Sequence, residues 1–231
     1  MADAPKRQYV GFSFYKISED FRKLPKARRQ AAKQSFVKAV EAFEKDGILL
    51  AYSTVGFKAG VDILLWRISY ELDSFQRLDS RLFQSGLGPY LTQPASYLAM
   101  TKRSTYIDKH QHAGQDGGRT AIVPGRGKYI FVYPFVKTRE WYLLSKEERQ
   151  RIMDEHIRVG NLYPSVKLNT TYSFGLDDQD FVVAFESDKP EDFLDLVMAL
   201  RETEGSRFTV RDTPIYTCKL MEVKEAVDLL G

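Results

Sequence analysis

The strongest constraint on this chain is that its two halves carry the same succession of patterns. Residues 9–16 alternate weakly and are rich in Val, Phe and Tyr, as a half-buried strand requires. Residues 19–45 are helical in character, with Phe36, Val37, Val40 and Phe43 on one stripe and Asp46 and Gly47 at the end. Strands at 48–57 and 61–70, joined by Lys58, Ala59 and Gly60, a helix at 73–83 and a strand at 96–102 complete a β-α-β-β-α-β order. The order then recurs as a strand at 128–136, a helix at 146–159, strands at 163–174 and 180–186, a helix at 190–201 and a strand at 208–218. A short helix closes the pattern. Ser145 and Glu148 form a capping box that fixes the start of the 146–159 helix, and Pro190 suits a first helical turn. The stretch 53–57 echoes 172–176, and Asp73, Phe75 and Leu78 echo Glu191, Phe193 and Leu196. Internal duplication is the economical explanation. The expected class is α+β: two ferredoxin-like repeats whose sheets pack face to face into a dimeric α+β barrel-like body, helices outside. The halves are 1–105 and 128–231, and 106–127 connects them.

The connecting stretch is polar and glycine-rich. It holds His110, His112, Gly117, Gly118 and, at its end, Pro124, Gly125, Arg126 and Gly127. A connection of this length is a linker or a functional loop. Its glycines precede no helix and match no phosphate-binding fingerprint. Two histidines at i, i+2 lack an evident third metal ligand, so solvated loop histidines are the default. A loop over a pocket is also where an acid–base group belongs.

Composition removes several classes. Thirty-four basic and 31 acidic residues leave a net charge of +3, and the basic ones are scattered, so nothing favours nucleic acid. The single cysteine, Cys218, permits no intrachain disulfide and suggests no cysteine-based zinc site. No run approaches the roughly 18 apolar residues of a membrane span, and residues 1–7 lack an apolar signal region, so a cytoplasmic protein without membrane contact is expected. No serine elbow or paired-histidine zinc motif appears.

Residues 128–169 concentrate the candidates. With period-two alternation, Tyr129, Phe131, Tyr133, Phe135 and Lys137 share one strand face. That face is either core with a lysine at its exposed end, or a pocket wall where a phenol and an ammonium meet an anionic substrate. Trp141 adds a large apolar surface with one N–H donor. His156 lies on the capped helix beside Ile152, Met153 and Val159. It is either a core-edge histidine with a hydrogen-bond partner or an axial haem ligand, because neutral imidazole binds iron well in an apolar pocket.

Tyr133 to Lys137, Glu140 to Leu144, Glu147 to Arg149, Glu155 with His156, Gly160, Tyr163 and Pro164 together resemble the chlorite dismutase superfamily, most closely its coproheme decarboxylase branch. The resemblance is strongest over 128–218. It implies that His156 is the proximal iron ligand, that Glu204 orients it, and that Trp141 is a pocket tryptophan. It implies that Tyr133 is the tyrosine decarboxylases require and that Lys137 stands near the reacting propionate. Chlorite-degrading members carry a distal arginine on the strand after the histidine helix; that position falls on Leu168, or on Asn169 with a different gap. An apolar residue there implies the subgroup with a distal histidine from the preceding loop, a role His110 fits, with His112 as runner-up. Arg126, with Arg119, Lys128 and Arg207, is a candidate donor to propionates. The implied reaction is peroxide-dependent decarboxylation of coproheme (iron coproporphyrin III) propionates to vinyl groups, through oxidation of Tyr133 to a radical, giving haem b. Implied partners are coproheme, hydrogen peroxide, four further copies in a homopentamer and, transiently, a ferrochelatase. The competing readings are a haem carrier or sensor without turnover, a chlorite dismutase or haem peroxidase, and a structural protein whose aromatics are only core.

Overall fold

The computed structural model describes residues 6–104, 106 and 121–231. In chain order the elements are β1 (Tyr9–Ile17), α1 (Asp20–Lys23), α2 (Lys26–Glu41), β2 (Ile48–Ser53), β3 (Ile63–Ser69), α3 (Asp73–Gln84) and β4 (Leu91–Met100). They continue as β5 (Tyr129–Lys137), α4 (Arg139–Leu143), α5 (Lys146–Gly160), β6 (Lys167–Tyr172), β7 (Phe181–Ser187), α6 (Pro190–Arg201), β8 (Thr209–Arg211), β9 (Tyr216–Met221) and α7 (Val223–Asp228). Both ends of β5 lie 120 positions after those of β1, and α5 begins 120 after α2. The chain is α+β with a duplicated ferredoxin-like plan.

The described residues form two compact units, one of residues 6–100 with 216–231 and one of residues 101–104, 106 and 121–215. The C-terminal strand and helix therefore join the first unit, whereas the sequence reading places them in the second half. In the first unit β1 pairs antiparallel with β3 and β4, and β2 pairs with β3 and β9. Its core gathers Tyr15, Ile17, Phe21, Phe36, Phe43, Leu65 and Leu78 beneath the helices. In the second unit β7 pairs with β5 and β6, and the short β8 pairs with β5. Its smaller cluster is Phe131, Tyr133, Val183, Phe185, Phe193 and Leu196.

The repeats agree down to a turn. The Thr54 carbonyl accepts from the N–H groups of Phe57 and Lys58, and the Ser173 carbonyl accepts from Leu176 and Asp177. Gly56 and Gly175 take φ of +83° and +72° in these turns, which a side chain resists. These turns replace the outer ends of the strands expected at 48–57 and 163–174. The strand expected at 208–218 is split into β8 and β9, because Pro214 has no N–H for a ladder. The helix expected at 19–45 breaks before Pro25, whose ring disfavours helical backbone in Leu24. Among the described residues, no helix is long and apolar enough to cross a membrane.

Candidate functional site

Three local devices aim the candidate side chains. Alternation along β5 puts Phe131, Tyr133, Phe135 and Lys137 on one face. Where β5 ends, Asp180 Oδ2 accepts both the Lys137 N–H at 2.8 Å and the Tyr142 hydroxyl at 2.7 Å. Thr138 Oγ1 then caps α4 by accepting the Trp141 N–H at 3.3 Å, which turns Trp141 inward. Ser145 Oγ caps α5 by accepting from the Glu148 N–H at 3.1 Å, setting the helix phase that carries Met153, His156 and Ile157.

These side chains meet in one cavity of about 790 Å³ within the second unit. Tyr133, Lys137, Trp141, His156 and Leu168 all line it. Such a volume accommodates a cofactor-sized ligand. Apolar groups dominate the walls, with Phe135, Phe181, Val183, Phe185, Val197 and Leu200 among them. Four cationic side chains, Lys102, Lys137, Lys167 and Arg201, face one carboxylate, Asp212, among the described lining residues.

The electrostatics follow from burial. Burial first, then the Lys137 ammonium, pushes the His156 imidazole down to about 4, with Glu155 opposing. The ring is therefore neutral at pH 7, with a lone pair free for a metal. Burial, reinforced by Asp212 and opposed by Arg201, holds the Tyr133 phenol well above its ordinary range. Burial lowers Lys137 to about 8. Its Nζ donates to the Gly205 carbonyl at 2.8 Å and lies 4.6 Å from the Trp141 ring centroid. A neutral imidazole in an apolar, cation-rimmed cavity fits an iron porphyrin bearing carboxylates.

Two of the expected residues, Glu204 and Arg126, are not among the residues that line the cavity. Glu204 does not hydrogen-bond His156; its carboxylate pairs with Arg151 at 2.7 Å, because the side chain turns outward along α5. The neighbouring Gly205 is what approaches the ring: a Cβ there would lie 4.0 Å from His156 Nδ1. Glu155, expected only as part of a motif, accepts the Glu204 N–H at 3.0 Å and so fixes that turn. Arg126 is exposed and does not line the cavity, and the same holds for Lys128 and Arg207. Asn169 lines the cavity edge, but its amide is committed to Glu186. His110, His112 and Arg119 lie outside the described residues. Sequence reasoning missed Lys102, Lys167, Arg201 and Asp212. Lys167 was legible as the neighbour of Leu168; the others reach the cavity through tertiary packing that no local pattern announces.

Comparison with known proteins gives the family. The family model described as chlorite dismutase matches residues 29–221. A coproheme decarboxylase of Mycolicibacterium smegmatis is 30% identical over 177 residues, 76% of this chain and 74% of that protein. A chlorite dismutase of Ideonella dechloratans is 28% identical over 206 residues, 88% of this chain and 72% of that protein. Among solved structures, an arginine-to-lysine variant of the chlorite dismutase from Candidatus Nitrospira defluvii superposes with a TM-score of 0.89 at 25% identity, covering 98% of this chain and 96% of that one.

Proposed function

Because the chain belongs to the chlorite dismutase family, whose members are haem-dependent oxidoreductases, we propose that it is a coproheme decarboxylase acting with hydrogen peroxide. The observation that carries the reading is that Tyr133, Lys137 and His156 open onto one cavity. The substrate is an iron porphyrin with four carboxylates, and the lining is cationic even with Arg201 paired to Asp212, which leaves Lys102, Lys137 and Lys167 opposite in charge to it. Leu168 stands where the resemblance puts the arginine of chlorite-degrading members, which favours decarboxylation over chlorite chemistry. The M. smegmatis relative adds a decarboxylase at 30% identity.

When bound, the iron porphyrin with peroxide supplies the oxidising equivalents. Everything else falls to the chain. His156 offers a neutral imidazole to the metal. Tyr133, kept as a phenol by burial, gives up a hydrogen atom and then takes one from the β-carbon of a propionate. Lys137 holds the carboxylate of that propionate until it leaves as CO₂. Each conversion of –CH₂CH₂COO⁻ to –CH=CH₂ releases CO₂, one proton and two electrons, and reducing one peroxide to two waters consumes both electrons and two protons. His110, with His112 as the alternative, is the proposed proton carrier on the peroxide side. A homopentameric state, a cytoplasmic setting and delivery of coproheme by a ferrochelatase belong to the same reading.

Mass spectrometry after incubation with iron coproporphyrin III and peroxide tests it. Products lacking one and then two carboxyl groups are expected, with no O₂ released from chlorite. A Soret band without decarboxylated product would instead identify a haem carrier.

A further inference from the structure

Arg126, flanked by two glycines, takes no part in the chemistry above, yet its backbone is unusual. Its φ of +56° makes it the one non-glycine residue in the left-handed region among the described residues. A side chain there is strained and persists only where its surroundings over-determine it. The surroundings are a carboxylate. The Gly125 N–H donates to Glu186 Oε1 at 2.9 Å, and the Gly127 N–H donates to Glu186 Oε2 at 3.3 Å. Two N–H groups two positions apart, with a left-handed residue between them, form a concave nest for an anion. Here the protein supplies the anion itself.

The carboxylate is firmly placed. Glu186, on β7, is 2% exposed, and Asn169 Nδ2 on β6 donates to its Oε1 at 2.9 Å. The Lys128 N–H goes to Asp188 Oδ1 at 2.7 Å, and Lys167 Nζ donates to the Val123 carbonyl at 2.5 Å. The backbone lies so close to β7 that a Cβ on Gly127 would come within 2.9 Å of the Ser187 nitrogen. Just before this nest, Ala121, Ile122 and Val123 line the cavity.

We propose that Glu186 is a positioning residue of the cavity: by filling the nest of Gly125 and Gly127 it fixes the strap 121–127 as a wall against which the porphyrin packs. The role of Arg126 is then carried by its backbone and not by its guanidinium. The proposal rests on reading this cavity as the porphyrin site.

The test uses the full chain, with hydrogen exchange of the 121–128 backbone and a Soret titration with iron coproporphyrin. In Glu186→Gln one acceptor oxygen becomes an NH₂ group that cannot receive a glycine N–H. Strap exchange should rise roughly tenfold, and porphyrin affinity should fall by a similar factor. Gly127→Ala leaves the buried carboxylate in place, drives the strap off β7 and should act alike, which covers a Glu186 variant that does not fold. Arg126→Gly, which relieves the left-handed strain and removes the guanidinium, should neither speed strap exchange nor weaken porphyrin binding. Wild-type exchange in folded Glu186→Gln and Gly127→Ala overturns the proposal, as does faster exchange with unchanged affinity. Weaker binding by Arg126→Gly with unchanged exchange would return the role to the guanidinium. If wild type binds no porphyrin, the reading of the cavity fails while the exchange data still report on the nest.

Discussion

The Lys137 ammonium rests 4.6 Å from the centre of the Trp141 ring while donating to the Gly205 carbonyl. Two groups, from α4 and the turn at 204–208, thereby hold a cation of β5 at the cavity wall. Cation–π contact and a carbonyl bond partly replace the lost hydration, but burial still lowers the group to about 8. The ammonium is present below that value and absent above it. Affinity for iron coproporphyrin should therefore be flat between about pH 6.5 and 7 and fall as pH rises through about 8. Folding stability has the opposite sign. Between about 8 and the ordinary 10.5 the unfolded chain binds more protons at this site, so stability gains as pH climbs. Soret titrations and thermal melts of wild type and Lys137→Met, whose curves should both be flatter, check the two slopes.

Tyr133 separates binding from chemistry. Its ring stacks on Phe185 with centroids 6.1 Å apart, and the residue is 8% exposed in the apolar cluster of the second unit. Tyr133→Phe keeps that packing and removes only the hydroxyl. Thermal stability and porphyrin affinity should stay close to wild type, within about 0.5 kcal/mol. Decarboxylation should drop by about a hundredfold or more, since a phenylalanine ring has no hydroxyl hydrogen to give up and regain. Equal rates of CO₂ loss in the two proteins would remove the assigned role.

The duplication predicts what the other half does with the same places. At the 120-residue offset, Ser13 stands for Tyr133, Ile17 for Lys137, Phe21 for Trp141 and Phe36 for His156. Ile17, Phe21 and Phe36 are buried in the core of the first unit, so the space opened by the second unit is here filled by hydrocarbon. Phe36→Ala should cost about 3–5 kcal/mol of stability by leaving a cavity, with porphyrin affinity unchanged at temperatures where the protein stays folded. A denaturant melt beside a Soret titration distinguishes this from a site shared by both halves.

The same comparison shows what was legible beforehand. Hydrophobic period and caps placed β5, α5 and α6 almost to the residue, because Ser145, Pro190 and the alternation around Tyr133 act locally. Resemblance selected Tyr133, Lys137, Trp141, His156 and Leu168, which the fold gathers on one cavity. Glu204 and Arg126 stand outside the cavity lining for a different reason. Each sits beside the backbone that matters, Gly205 and the Gly125–Gly127 nest, and a side chain one position away cannot be told from its neighbour without coordinates. Arg201 and Asp212, paired at 2.9 Å, meet only because α6 and the segment after β8 converge.

His156 makes the acid limb of stability testable. Burial and the Lys137 charge lower its value to about 4, against about 6.5 for the ordinary group. Between those values the unfolded chain holds more protons on this side chain than the folded one. Stability from this group is therefore complete above about pH 6.5 and is lost as pH falls toward 4. His156→Leu removes the titrating group and suits its apolar surroundings, so the variant should be more resistant than wild type at pH 4–5 and similar at pH 7. It should also lose the Soret shift produced by an imidazole–iron bond. Denaturant melts across pH 4–7 measure the first effect and porphyrin spectra the second. A wild-type pH slope in the variant would show that the acid sensitivity lies elsewhere, and a variant that keeps the wild-type Soret shift would remove His156 as the iron ligand.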